Sequence, residues 1–113
     1  MSLVKLLLKK KADVNAIDTM GRSALHWVAE KGYLRIAKLL IIKGASIHHQ
    51  DNDGQTPLHK AARWNQQKII KLLLVHGANV NAKGFDGRGA LNIAIANGNM
   101  DITNLLKRHD AKL

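Results

Sequence analysis

The 113-residue sequence predicts an all-α solenoid of stacked helix–turn–helix units with protruding turn or β-hairpin tips. Three observations carry that expectation. Residues recur at an offset of 33: Gly21, Gly54 and Gly87 align, as do Leu25, Leu58 and Leu91. A fixed period of this size is the mark of stacked supersecondary units. A second block keeps the same register, with Leu39-Leu40, Leu72-Leu73 and Leu105-Leu106 preceded by Ile36, Ile69 and Ile102. Finally, the turns Asp18-Thr19-Met20-Gly21 and Asp51-Asn52-Asp53-Gly54 carry Asp first and Gly fourth, as type I turns favour.

Each unit reads as turn, helix, turn, helix, loop. Thr56 is placed to cap the first helix, with Pro57 at its first position, where a missing N–H costs nothing; Ser23 is the equivalent cap one unit earlier. That helix ends at Gly32, Asn65 or Gly98, residue types that tolerate left-handed backbone. The second helix is apolar at i, i+3, i+4, as in Ile69, Leu72 and Leu73, and ends at Gly44 and Gly77. The expected division is one domain over 1–113: a partial N-terminal repeat (1–17), full repeats at 18–50 and 51–83, and a C-terminal capping repeat at 84–113. The cap is inferred because Thr103 and Lys107 stand where Ile70 and Leu74 stand one unit earlier, which suits an outer face that meets water. Leu3, Leu6 and Leu7 lack a first helix to pack on, so the chain reads either as a fragment of a longer array or as a chain cut to begin inside a repeat. Lys11 in place of a helix-ending Gly fits a frayed terminus.

Composition excludes several classes. Eighteen Lys+Arg against eight Asp+Glu give a net charge of +10, with an ordinary apolar share of 46%. With no cysteine there is no disulfide scaffold, thiol nucleophile or Cys-based zinc finger. The first eleven residues have the wrong order for a signal peptide, and no apolar run suits a membrane span. An intracellular location, cytoplasmic or nuclear, and a monomer are expected.

The segment Gly54-Gln55-Thr56-Pro57-Leu58-His59-Lys60-Ala61-Ala62, followed by Ile69-Ile70-Lys71-Leu72-Leu73-Leu74 and Gly77-Ala78-Asn79-Val80-Asn81-Ala82, resembles an ankyrin repeat. The resemblance spans essentially the whole chain. It implies a concave groove, lined by one face of the first helices and by the turn tips, that binds a partner protein.

Function is expected where the repeats disagree with one another. Positions 27, 30 and 31 share a helix face: Trp27, Glu30 and Lys31 in one unit, Lys60, Arg63 and Trp64 in the next. Trp64 replaces the polar Lys31 and Asn97 of its neighbours, and Trp and Arg dominate binding hot spots. The expected contact set is Trp64, Arg63, Lys60, Trp27, Lys31 and Glu30, with Met20, Arg22, Asp53, Gln55, Phe85 and Arg88 at the tips. The indoles of Trp27 and Trp64 are expected to form one shelf, with Lys31, Lys60 and Arg63 pairing with carboxylates of an acidic partner. Most of the excess charge falls on the second helices and chain ends, where Lys5, Lys38 and Lys71 recur at one position. The plain reading of that pattern is a solvated face that keeps the protein soluble. Two functional alternatives remain: a polyanion binder, for nucleic acid or a phosphorylated ligand stacked on the indoles, or a structural piece of a longer array.

Catalytic, cofactor and metal readings find no support. Glu30 is the only glutamate, and His26 and His59 are explained by hydrogen bonds to Ser23 and Thr56, with Asn92 in their place in the last unit. His48-His49 have no Cys or Glu nearby to complete a zinc site. Asp51-Asn52-Asp53-Gly54 lacks the Gly and Glu spacing of a calcium loop, and Gly84-Phe85-Asp86-Gly87-Arg88-Gly89 is not GxGxxG. The expectation is a non-enzymatic binding module without a cofactor.

Overall fold

A computed structural model describes residues 13–112. The expectations placed on Leu3, Leu6, Leu7, Lys5 and Lys11, and most of the partial repeat at 1–17, lie outside the described residues. Six helices follow in order: α1 (Ala24–Lys31), α2 (Leu34–Ile42), α3 (Pro57–Arg63), α4 (Gln67–Val75), α5 (Ala90–Ala96) and α6 (Met100–Arg108). Each of the spans 18–50, 51–83 and 84–113 holds one antiparallel pair. No helix among the described residues is long and apolar enough to cross a membrane.

The first helices α1, α3 and α5 pack on one another in an inner layer, each backed by its own second helix; the outer helices touch one another less. Leu25, Leu58 and Leu91 fill the core at repeat-equivalent positions, joined by Leu40, Ile69, Ile70, Leu73, Ile102 and Leu106. Small residues at the helix crossings, Ala29, Ala61, Ala62 and Ala94, are buried completely. They let neighbouring repeats stack closely.

Helix ends follow the sequence reading. Gly32, Asn65 and Gly98 take positive φ (76°, 60° and 70°) after the inner helices, as do Gly44 and Gly77 after the outer ones. Asp110 adopts φ 67° at the position equivalent to Gly77. In the tips, the Asp18 carboxylate accepts the Met20 and Arg22 N–H at 2.8 and 2.9 Å, and Asp51 does the same for Asp53 and Gln55 at 2.9 and 3.0 Å. Short antiparallel bridges, Ile17 with Ser23 and Lys83 with Gly89, close two of the tips.

Two histidines tie each unit to the next. Nδ1 of His26 accepts the Ser23 N–H at 3.2 Å, and Nδ1 of His59 accepts the Thr56 N–H at 3.0 Å. Accepting at Nδ1 leaves the proton on Nε2, which donates to the carbonyls of Gln55 (2.8 Å) and Arg88 (3.2 Å) in the following unit. In the last unit Asn92 accepts the Gly89 N–H at 2.9 Å, the role expected of it.

Thr103 departs from expectation. The sequence puts it on a water-facing surface, but it is 5% exposed, its hydroxyl turning back to donate to the Asn99 carbonyl at 2.7 Å. A satisfied hydroxyl permits burial of the methyl group. Lys107 is exposed.

Candidate functional site

The inner face is built on a rigid frame. Asn52 N–H donates to the Met20 carbonyl and Phe85 N–H to the Asp53 carbonyl, at 3.0 and 2.9 Å, so each tip is hydrogen-bonded to the one before it. Between these tips and α3 lies a cleft of about 290 Å³, lined by Asp53, Gln55, Arg63, Phe85 and Asp86. The cleft brings together four residues that the sequence singled out on separate grounds: Asp53, Gln55 and Phe85 from the tips, and Arg63 from the helix face. Asp86 joins them.

Phe85 is 74% exposed, although its ring lies over Gly54: a Cβ built on Gly54 would meet the ring at 2.5 Å. Gly54 also has φ +75°, so glycine serves here both the turn and the ring. Trp64 is 53% exposed. It caps the C-terminal end of α3, immediately after Arg63, whose carbonyl accepts the Asn97 side-chain N–H at 2.9 Å. Met20 is 48% exposed at its tip, and Lys31, Asp53 and Arg88 are exposed; Glu30 is half-buried.

Four expectations need correction. Lys60 does not stand free for a partner: its Nζ lies 3.1 Å from Asp51 Oδ2, with the two side chains only 17% and 4% exposed. Arg22 is likewise engaged, 3.0 Å from Asp18 Oδ2 and stacked over the Trp27 ring at 4.6 Å. Trp27 closes that cluster by donating Nε1–H to Asp18 Oδ2 at 3.3 Å. The two indoles therefore form no shelf; the only aromatic pair among the described residues is His26 with His49, edge-on at 5.6 Å. Gln55, expected at a tip surface, is 8% exposed and floors the cleft instead, because its backbone is drawn inward by the Asp51 carboxylate and the His26 ring.

Position 27/60 is thus a tip anchor, a relationship the sequence reading missed. Its signal is covariation inside the chain: Asp18 with Trp27, Asp51 with Lys60, then Gly84 with Ile93, where carboxylate and donor disappear together and Ile93 is 4% exposed.

Electrostatics follow from these contacts. Burial acts to raise the Asp51 carboxyl pKa but is outweighed by hydrogen bonds from the Gln55 N–H, Lys60 and the Asp53 N–H, and the net shift is downward. Asp18 shifts down in the same way, burial being overcome by the Arg22 and Met20 N–H groups and the Arg22 side chain. Burial lowers the pKa of His26 and His59, in keeping with their neutral tautomer. Once the paired residues are set aside, Lys31, Arg63, Lys83 and Arg88 are exposed cations of the inner helices and tips, and Arg63 shares the cleft with Asp53 and Asp86. Among the described residues no group of three or more His, Asp or Glu is placed to hold a metal ion.

This arrangement of inner helices and finger-like tips agrees with the family to which the chain belongs. Two overlapping stretches, 1–84 and 28–113, match the family model described as Ankyrin repeats (3 copies), and the chain is a member of the ankyrin-repeat family. Such repeats are generally protein–protein interaction modules. No curated protein matches the chain.

Proposed function

We propose that the chain recognises a partner protein, without catalysis, through its inner groove, and that the site centres on the Arg63–Trp64–Phe85 region. The observation that carries this reading is two large aromatic side chains, 53% and 74% exposed, flanking Arg63 and a cleft on an otherwise hydrogen-bonded surface. Exposed aromatics have no folding role that requires them to meet water, and Trp, Tyr and Arg are the residues that anchor interfaces. Their frame is preformed, so little conformational entropy is lost on binding.

In this reading Trp64 and Phe85 insert into apolar hollows of the partner. Arg63 and Lys31 meet its acidic groups, while Met20, Glu30, Asp53 and Arg88 set specificity around the rim. Gln55 contributes its polar atoms at the floor of the cleft. Lys60, Trp27 and Arg22 act indirectly, by holding the tips. The chain binds as a monomer.

The test is capture of partners from a lysate of cells that express the protein, comparing wild type with Arg63→Glu/Trp64→Ala and with Phe85→Ala, in the presence of nuclease. A protein retained by wild type and lost with both variants supports the groove. Identical capture by all three removes these residues from the site.

A further inference from the structure

The outer helices present a second, chemically different surface. On α2, Arg35, Lys38 and Ile42 lie at i, i+3, i+7 and are all exposed; on α4 the same pattern recurs one period on as Lys68, Lys71 and Val75. Residues at this spacing share one helix face. Neither helix contains an acidic residue. None of these four cations is in an ion pair, since among the described residues the salt bridges are Arg22–Asp18 and Lys60–Asp51. Ile42 and Val75, 78% and 80% exposed, stand at the ends of the two basic stripes. On α6 the pattern breaks: Asp101, Asn104 and Arg108 occupy the equivalent positions.

We propose that this outer face docks onto an anionic membrane surface, with Ile42 and Val75 entering between headgroups and Arg35, Lys38, Lys68 and Lys71 neutralising lipid phosphates and carboxylates. Unpaired cations on one face are complementary to an anionic leaflet. The two aliphatic side chains favour lipid over nucleic acid, because an aliphatic tip gains burial among acyl chains and nothing from a phosphate backbone. The surface lies opposite the groove and is independent of the partner reading above.

The experiment is co-sedimentation of the full chain with vesicles of phosphatidylcholine alone and of equimolar phosphatidylcholine and phosphatidylserine, alongside anisotropy with a labelled RNA oligonucleotide. The wild type is expected to sediment with the serine-containing vesicles only, and less so as salt rises. Lys38→Glu/Lys71→Glu should lower the partition by on the order of tenfold or more. Ile42→Ser/Val75→Ser should lower it by on the order of tenfold at unchanged charge. Circular dichroism of each variant confirms that the fold is kept. Absence of sedimentation overturns the proposal, as does vesicle binding indifferent to Ile42→Ser/Val75→Ser. RNA binding that survives the serine substitutions while vesicles are ignored assigns the face to nucleic acid instead.

Discussion

Asp51 and Lys60 repeat, one period later, the relationship between Asp18 and Trp27: in both of these units a tip carboxylate accepts an N–H from the same inner-helix position, at 3.1 and 3.3 Å. The consequence for Lys60 is mechanical. Lys60→Met leaves a carboxylate that is 4% exposed without its cation, though still held by two backbone N–H groups. Breaking a fully buried pair costs about 3–5 kcal/mol. With those N–H groups retained and Lys60 partly exposed, the expected loss is about 1–3 kcal/mol. Urea unfolding measures it; an unchanged midpoint would show that the pair does not hold the tip.

Acid should weaken the stack in two stages. His26 and His59 have folded pKa values lowered by burial from 6.5, so the unfolded chain takes up protons first as pH falls. Their contribution is fully present above about pH 6.5 and is lost below it. Asp18 and Asp51, lowered from 3.8, add a second loss below about pH 4. His26→Asn/His59→Asn, copying Asn92, should start less stable at neutral pH and show a flatter profile between about pH 7 and 5. Urea midpoints against pH test this; the same slope in wild type and variant would place the titration elsewhere.

The junction between 18–50 and 51–83 lacks a clamp that its neighbours possess. Asn15 bonds the Gly44 carbonyl and Ser46 N–H at 3.2 and 2.7 Å, and Asn81 bonds the Asp110 carbonyl and Lys112 N–H at the same distances. At the equivalent position His48 makes neither bond, and a cavity of about 200 Å³ lies beside it, lined in part by Ile47, Ala78 and Asn79. His48→Asn should restore both bonds and raise stability by about 1–2 kcal/mol. Thermal or urea unfolding that shows no gain would mean that the loops do not close on the new side chain.

Gly54→Ala should act on fold and site together. It places a Cβ at φ +75° against the Phe85 ring. The left-handed conformation alone costs about 1–2 kcal/mol for a non-glycine residue. Phe85 is the only phenylalanine, so its ring resonances report directly whether the tip aromatic has moved. A variant that loses stability without shifting those resonances would contradict the packing of ring on glycine.

The fold was legible because the features that define it repeat: glycines at left-handed turns, leucines in the core, histidines next to their caps. The site was legible only in part. Trp64, Phe85 and Arg63 stand out against their equivalents and are exposed. Trp27 and Lys60 stand out equally, yet they face inward, because each answers a carboxylate nine residues earlier that was read only as a turn former. Gln55 sits next to the tip in sequence, but the hydrogen bonds to its backbone decide its depth. Thr103 looked polar enough for water, but its hydroxyl is satisfied by its own helix. In each case a local partner decided the outcome, and periodicity carries no information about local partners unless both positions are compared between units.

The most direct test of groove recognition is site-specific photocrosslinking in cells that express the chain, with benzoylphenylalanine placed in turn at Trp64, Phe85 and Val75. Groove recognition predicts one protein adduct shared by positions 64 and 85 and absent from 75, on the opposite face. An adduct formed from 75 but from neither 64 nor 85 would contradict it and move protein recognition to the outer helices.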